Sequence, residues 1–306
     1  MNFSPSISSS RRPHRTGRRR GFSLVEVIVV VGLMSFIVLG LVMMFGQTQR
    51  AYKLGTTQVD VLEGGRATID MIGRELAVIT PSRVSNVVNF YADIPAAPDG
   101  VLPLKQVLPG FPIVNRTNVI DDFFFLTREN QAWKGIGYHV GDRKAGAGTL
   151  YRYEMTTRAS LSPEDLFANF FYYSDNRITT NLNRAIDNLL SLNISRLVDG
   201  VVHLRVRPYD ASGFWMTNRF MNNISLDEST FIPGEIRYFG LYSNLVPATV
   251  ELELGILEDA AYAKAKAIPT IPNSISRSNY LSQQASRVQL FRLRVPVRNV
   301  DPTAFQ

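Results

Sequence analysis

"RRRGFSLVEVIVVVGLM", residues 18–34, decides how the chain is read. Arg18, Arg19 and Arg20 stand before Gly21, Phe22 follows it, and one carboxylate, Glu26, lies at the mouth of an apolar run. Val27–Phe45 is nineteen residues without a formal charge. As a helix such a run rises about 28 Å, close to the ~30 Å hydrocarbon core of a bilayer. The arginines before it keep the N-terminus cytoplasmic and send the rest across. A secretory signal peptide needs a shorter apolar core, roughly 7–15 residues, and a small-x-small cleavage site. The segment after Phe45, "GQTQRAYKLG" (46–55), offers no such site. Glu26 is the feature that a plain anchor does not need, because a carboxylate at the edge of a spanning helix costs free energy, on the order of a few kcal/mol if carried deeper.

The formal net charge of +7 suggests nucleic acid or an acidic membrane until its distribution is read. Six arginines and no acid precede Gly21. Without them, 27 basic residues face 26 acidic ones, a net of +1. The excess belongs to the leader, and no nucleic-acid partner is expected. There is no cysteine, which excludes disulfide scaffolds, cysteine zinc sites and thiol catalysis.

Beyond the apolar run, residues 22–79 read mostly as one helix. Leu62, Ile69 and Leu76 recur every seven residues, with Ile72 and Ile79 on the same stripe, while Arg66, Asp70, Arg74 and Glu75 lie largely off it. Gly55 and the pair Gly64-Gly65 are expected weak points, where a bend or break is anticipated. Thr80-Pro81 is the expected stop. Six prolines between 81 and 118 predict a loop-rich region with room for short strands. Strands are expected at 118–127, 133–140, 148–155, 197–210, 234–243, 248–257 and 287–297. The stretch 164–174 is ambiguous between strand and helix, 183–192 reads as a short helix, and 258–267 as another.

Arg-Gly-Phe-Ser-Leu-Val-Glu followed by the uncharged run resembles the class III signal of type IV pilins and pseudopilins. The resemblance implies that prepilin peptidase cuts between Gly21 and Phe22 and that the new Phe22 amine is methylated. It also implies that Glu26 pairs with the N-terminal amine of a neighbouring subunit. Arg18, Arg19 and Arg20 set the topology. The order "GGRATIDMIGRELAVI" (64–79), "GTLYRYE" (148–154), "LVDGVVHLRVRPYDASGFW" (197–215), "LVPATVELELGILE" (245–258) and a strand ending near Pro296 resembles the J-type minor pseudopilin of type II secretion and the W-type minor pilin. The long Arg-rich leader and the stretches 81–118 and 157–196 depart from that pattern. The implied fold is α+β: a long N-terminal helix, transmembrane at about 27–45 and then amphipathic, packed on an antiparallel β-sheet periplasmic domain in a pilin-like lollipop. The implied organisation is a cleaved leader (1–21), that helix (22–79) and an exported domain (80–306). The implied role is a fibre assembly or tip subunit in the inner membrane, with other pseudopilin subunits as partners. Two alternatives stay open: a periplasmic or surface binding protein anchored by the same signal, and an exported anchored enzyme.

No catalytic residue is expected. No H-E-x-x-H, G-x-S-x-G or Walker pattern is present, and Gly135-x-Gly137 lacks the following helix of a phosphate cradle. His139 and His203 lie in strand patterns, as satisfied or surface histidines more readily than as ligands. Asp121-Asp122 and Asp227-Glu228 are the carboxylate pairs open to calcium, yet no EF-hand loop accompanies them. The expectation is no cofactor and no metal. The aromatic runs Phe123–Phe125 and Phe170–Tyr173 read as core or, because neighbours on a strand face opposite sides, as an intersubunit contact. Trp215 reads as a turn anchor.

Overall fold

The computed structural model describes residues 21–94, 104–107, 115–141, 143, 146–157, 163–174, 190–216, 224–228, 236–269 and 276–305. The leader arginines Arg18, Arg19 and Arg20 lie outside them, as do residues 183–189 of the expected short helix. The chain divides into two compact units, Met1–Leu54 and Gly55–Gln306.

Helix α1 (Leu24–Leu76) runs unbroken through all three expected weak points. In the first unit, every residue from Leu24 to Phe45 is exposed. The helix is long and apolar enough to cross a membrane. In the second unit, Val61, Gly65, Thr68, Ile69, Ile72, Gly73 and Leu76 form the buried stripe. The expected stripe holds at Ile69, Ile72, Leu76 and Ile79, and Leu62 alone departs from it, at 36% exposed. Two of the buried positions are glycines. A Cβ on Gly65 would lie 2.3 Å from the Phe291 ring, and one on Gly73 2.5 Å from Leu293 Cδ2, so both are close-approach positions and not break points. Gly64 beside them has nothing within 4 Å. Gly64→Ala is therefore expected to stabilise the helix by about 0.5–1 kcal/mol, whereas Gly65→Ala costs about 1–3 kcal/mol through overpacking. Paired thermal melts that move in the same direction would contradict this.

The second unit is built on a nine-stranded sheet in the order β11-β10-β7-β6-β5-β4-β1-β9-β8. The strands are β1 (Val88–Asp93), β4 (Asp122–Glu129), β5 (Ala132–Gly141), β6 (Gly148–Thr157), β7 (Leu190–Tyr209), β8 (Ile224–Glu228), β9 (Ile236–Tyr242), β10 (Thr249–Leu257) and β11 (Val288–Pro296), all paired antiparallel. A separate ribbon joins β2 (Lys105–Val107) and β3 (Asn115–Thr117). The fold class is thus α+β, as the sequence implies.

One expectation fails, at 190–192, and two open readings take form. Residues 81–118 hold a buried strand, β1, whose residues Val88–Ala92 are all buried. A strand covered on both faces shows no alternation to read. Leu190–Leu192 opens β7 instead of closing a helix. The ambiguous stretch is helix α2 (Glu164–Ser174).

Strand β7 is 20 residues long because it serves two partners. Its first half pairs with β6 and its second with β10, with register shifts near the changeover. Gly200 lies there at φ 73°, where a Cβ would meet Leu257 O at 2.9 Å. Only glycine accepts both conditions without strain.

Both sheet faces are covered. Phe123 and Phe125 join Ile69, Ile72 and Leu76 of α1 on one side. Phe124 joins Leu166 and Phe170 of α2 on the other. The phenylalanine run is therefore core on two faces, and its burial explains it without an intersubunit contact. Gly137 gives Phe170 its place, since a Cβ there would lie 2.3 Å from the ring. Helices α3 (Asp259–Ala267) and α4 (Ser276–Ser282) close a third cluster through Ala261, Tyr262, Ala265 and Leu281.

Candidate functional site

Residues 21–23 precede the helix without regular structure, and Phe22 is 83% exposed. Gly21 and Phe22, on either side of the expected cut, are both exposed. Ser23 begins the helix. Its carbonyl accepts from Val27 N at 3.2 Å, its Oγ accepts from Glu26 N at 3.2 Å, and its own N–H faces Glu26 Oε2 at 3.4 Å. Ser-x-x-Glu is here a capping box, with two otherwise orphaned donors satisfied reciprocally. The sequence holds that signal, and reading Glu26 only against a neighbour overlooks it. The geometry gives Glu26 two compatible duties. Its carboxylate stabilises the first turn, and it lies where a cation would otherwise be disfavoured. A free amine on Phe22 would stand at the positive end of the helix dipole, so a carboxylate in the first turn offsets it. Ser23→Ala is expected to weaken this turn by about 1 kcal/mol. The measurement is amide exchange at Glu26 in detergent micelles, and unchanged exchange contradicts the cap.

Asp121 and Asp122 are otherwise engaged. Asp121 Oδ2 accepts from Val206 N at 2.7 Å. Asp122 accepts from Arg143 Nη1 and meets His139 Nδ1, both at 2.9 Å. Burial works to raise the Asp122 carboxyl, but His139 and Arg143 outweigh it and hold it below the ordinary range. Among the described residues no group of three or more His, Asp or Glu is placed to hold a metal. The side chains of Asp227 and Glu228 lie outside the described set. Trp215 bridges to Tyr209 across a turn that Asp210 caps through Ser212 N and Phe214 N, at 2.9 and 2.8 Å.

Two charged arrangements were not anticipated. In the first, Glu75 of α1 accepts from Arg152 of β6, at 2.9 Å to Nε and 2.7 Å to Nη2, and also from Tyr138 Oη. Arg152 in turn pairs with Glu154 at 2.5 Å, and Glu154 with Lys134 at 2.8 Å. The second crosses β7, β10 and β11 in register. Arg207, Glu251 and Arg294 form one row, and Arg205, Glu253 and Arg292 the next. Glu253 contacts Arg205 at 2.6 Å and Arg292 at 2.8 Å, and Glu251 contacts Arg294 at 2.6 Å. Arg207 stacks on Trp215 at 4.6 Å and Arg294 on Tyr209 at 4.8 Å.

His203, opposite Gly255 in the register, reaches Glu253 of the second row with its side chain. Val119 N–H donates to its Nδ1 at 3.0 Å, so the ring proton resides on Nε2, facing Glu253 Oε2 at 3.2 Å. Desolvation holds the His203 pKa below its ordinary 6.5. The hydrogen bond from His203 leads in bringing the Glu253 carboxyl down to about 2, helped by Arg205 and Arg292 against desolvation. Both contribute stability that falls with acidification. The His203 share is full above 6.5 and is lost as pH falls toward its folded pKa. The Glu253 share is full above 4.5 and is lost as pH falls toward about 2. Asp93 works in the opposite sense. Desolvation raises it to about 6, so its share is full below 3.8 and is lost as pH rises through 6. Melting temperature is expected to fall monotonically below about pH 3.8, where the Asp93 share is already complete and the Glu253 loss continues, and Asp93→Asn to raise stability at neutral pH relative to acid. An Asp93→Asn melt with the parent's pH profile contradicts that assignment.

Residues 16–42 match the family model described as the prokaryotic N-terminal methylation motif. No curated protein and no solved structure matches the chain. The family match covers the opening motif, Gly21, Phe22 and Glu26 included, and supports a pilin- or pseudopilin-type subunit.

Proposed function

We propose that the chain is the precursor of a minor pseudopilin or minor pilin, an assembly or tip subunit of a type II secretion pseudopilus or a type IV pilus-like fibre. The observation that carries this reading is the methylation motif over residues 16–42, joined to an apolar helix whose first turn holds Glu26. Prepilin peptidase removes residues 1–21, the Phe22 amine is methylated, and Arg18, Arg19 and Arg20 hold the leader in the cytoplasm until then. The apolar helix stores the subunit in the inner membrane with the C-terminal domain in the periplasm. In the fibre, Glu26 pairs with a neighbour's amine, because two opposite charges leave water at far lower cost together than singly. The order of sequence pieces from 64 to 296 favours the J-type and W-type tip subunits within this class. The mechanism is assembly, and no catalytic residue takes part.

In-cell cross-linking followed by co-purification tests the role. Recovery of other pilin-like subunits is the expected result. Recovery of none, with selective ligand binding by the exported domain, would favour the anchored binding protein instead.

A further inference from the structure

Strand β11 ends the sheet order, and its strand partner among the described residues is β10 alone. All nine of its residues pair with β10 in one unbroken register, whereas β1–β9, β6–β7, β7–β10 and β8–β9 each carry a shift. A straight edge of this length leaves a row of backbone N–H and C=O groups open to another strand. Bulges and internal prolines usually prevent that. Here no bulge is present, and Pro296 is the last residue of the strand.

The charge on this edge selects the occupant. Arg292 and Arg294 are 66% and 64% exposed on the outward face. Arg292 pairs with Glu253 and Arg294 with Glu251, but each of those carboxylates also stands opposite a second arginine, Arg205 or Arg207, and Arg116 lies near enough to Glu253 to feel its charge. Like charges directly opposite on paired strands repel, and opposite charges attract. Pairing β11 with a second β11, inner faces together, sets arginine against arginine. An acidic strand meets the opposite situation. On the inner side Phe291 and Leu293 are only half-buried, so an apolar residue at alternate positions would complete their cover.

We propose that the free edge of β11 docks an extended acidic segment of another fibre subunit. The segment adds as a tenth strand to the nine-stranded sheet, its carboxylates opposite Arg292 and Arg294 and its apolar residues beside Phe291 and Leu293. This deepens the assembly reading and rests on it for the partner's being a fellow subunit. The docking chemistry itself needs neither cleavage nor Glu26.

The test uses the full chain in detergent micelles with a fluorescent peptide of alternating glutamate and valine, about eight residues long. It should bind at least roughly tenfold more tightly than the lysine–valine peptide and protect β11 amides from exchange. Methylating its edge-facing backbone amides should abolish binding, and the double variant Arg292→Glu/Arg294→Glu should invert the preference. If that variant melts abnormally, Arg292→Gln/Arg294→Gln should remove the preference without inverting it. Equal binding of both peptides overturns the proposal. So does equal binding of the methylated peptide, displacement by polyphosphate without β11 protection, or self-association through β11 that the variants dissolve. Failure of the assembly reading would show separately, in N-terminal processing, which this assay does not involve.

Discussion

Glu26→Val and Glu26→Ala are expected to be cleaved normally at Gly21-Phe22 and to enter fibres at most about one-hundredth as well as the parent. Removing one partner of a charge pair in an apolar setting leaves the other uncompensated, at about 3 kcal/mol or more, which is roughly a hundredfold in an equilibrium. Cleavage is expected to survive because the Gly21-Phe22 bond proposed for the cut lies ahead of the helix, between exposed residues. The capping box adds a smaller loss of about 1 kcal/mol, since Glu26 also satisfies the Ser23 N–H. Glu26→Gln keeps that acceptor while losing the charge, so it separates the two duties. It should match Glu26→Ala in fibre content yet retain slow exchange at the first turn. Sheared-fibre yield and pull-down of cross-linked partners read the result, and parental incorporation of Glu26→Ala contradicts the pairing.

Glu75→Ala should lower the stability of the folded domain by about 3 kcal/mol. It removes the acceptor of the fully buried Tyr138 hydroxyl and one of the two carboxylates around Arg152. Leaving a buried hydroxyl without a partner costs about 1–3 kcal/mol, and the weakened ion pair adds to it. For a unit of this size that lowers the melting temperature by roughly 6–12 °C. Glu75→Gln keeps an acceptor for Tyr138 and should lose about half as much. An unchanged melt for Glu75→Ala would show that the pair with Arg152 does not hold α1 to the sheet.

The sequence carries some of this organisation openly. β7, β10 and β11 each have one face in the core cluster that α1 joins and one on charged rows, so alternation is plain in "VVHLRVRPY", "TVELELGIL" and "VQLFRLRVP". β1 is hidden because both its faces are buried and prolines surround it. α2 is ambiguous because Phe167, Phe170 and Phe171 supply aromatic contact on several sides. The glycines of α1 mislead for a physical reason. Helix propensity prices Gly65 as a weak point, while the Phe291 ring requires its missing side chain. Nothing local announces that Glu75 meets Arg152, 77 residues away, or that the charged residues of three strands fall into rows. At the N-terminus the reverse holds. Cap, charge and apolar run are contiguous, so the motif and its Ser-x-x-Glu box are legible in a few residues.

Intact-mass and N-terminal peptide analysis of the protein purified from its own membranes tests the central claim most directly. The account predicts a chain that begins at Phe22, carries a methyl group on its α-amine and lacks residues 1–21. A chain that keeps its arginine leader, or one cut after the apolar run, would contradict it.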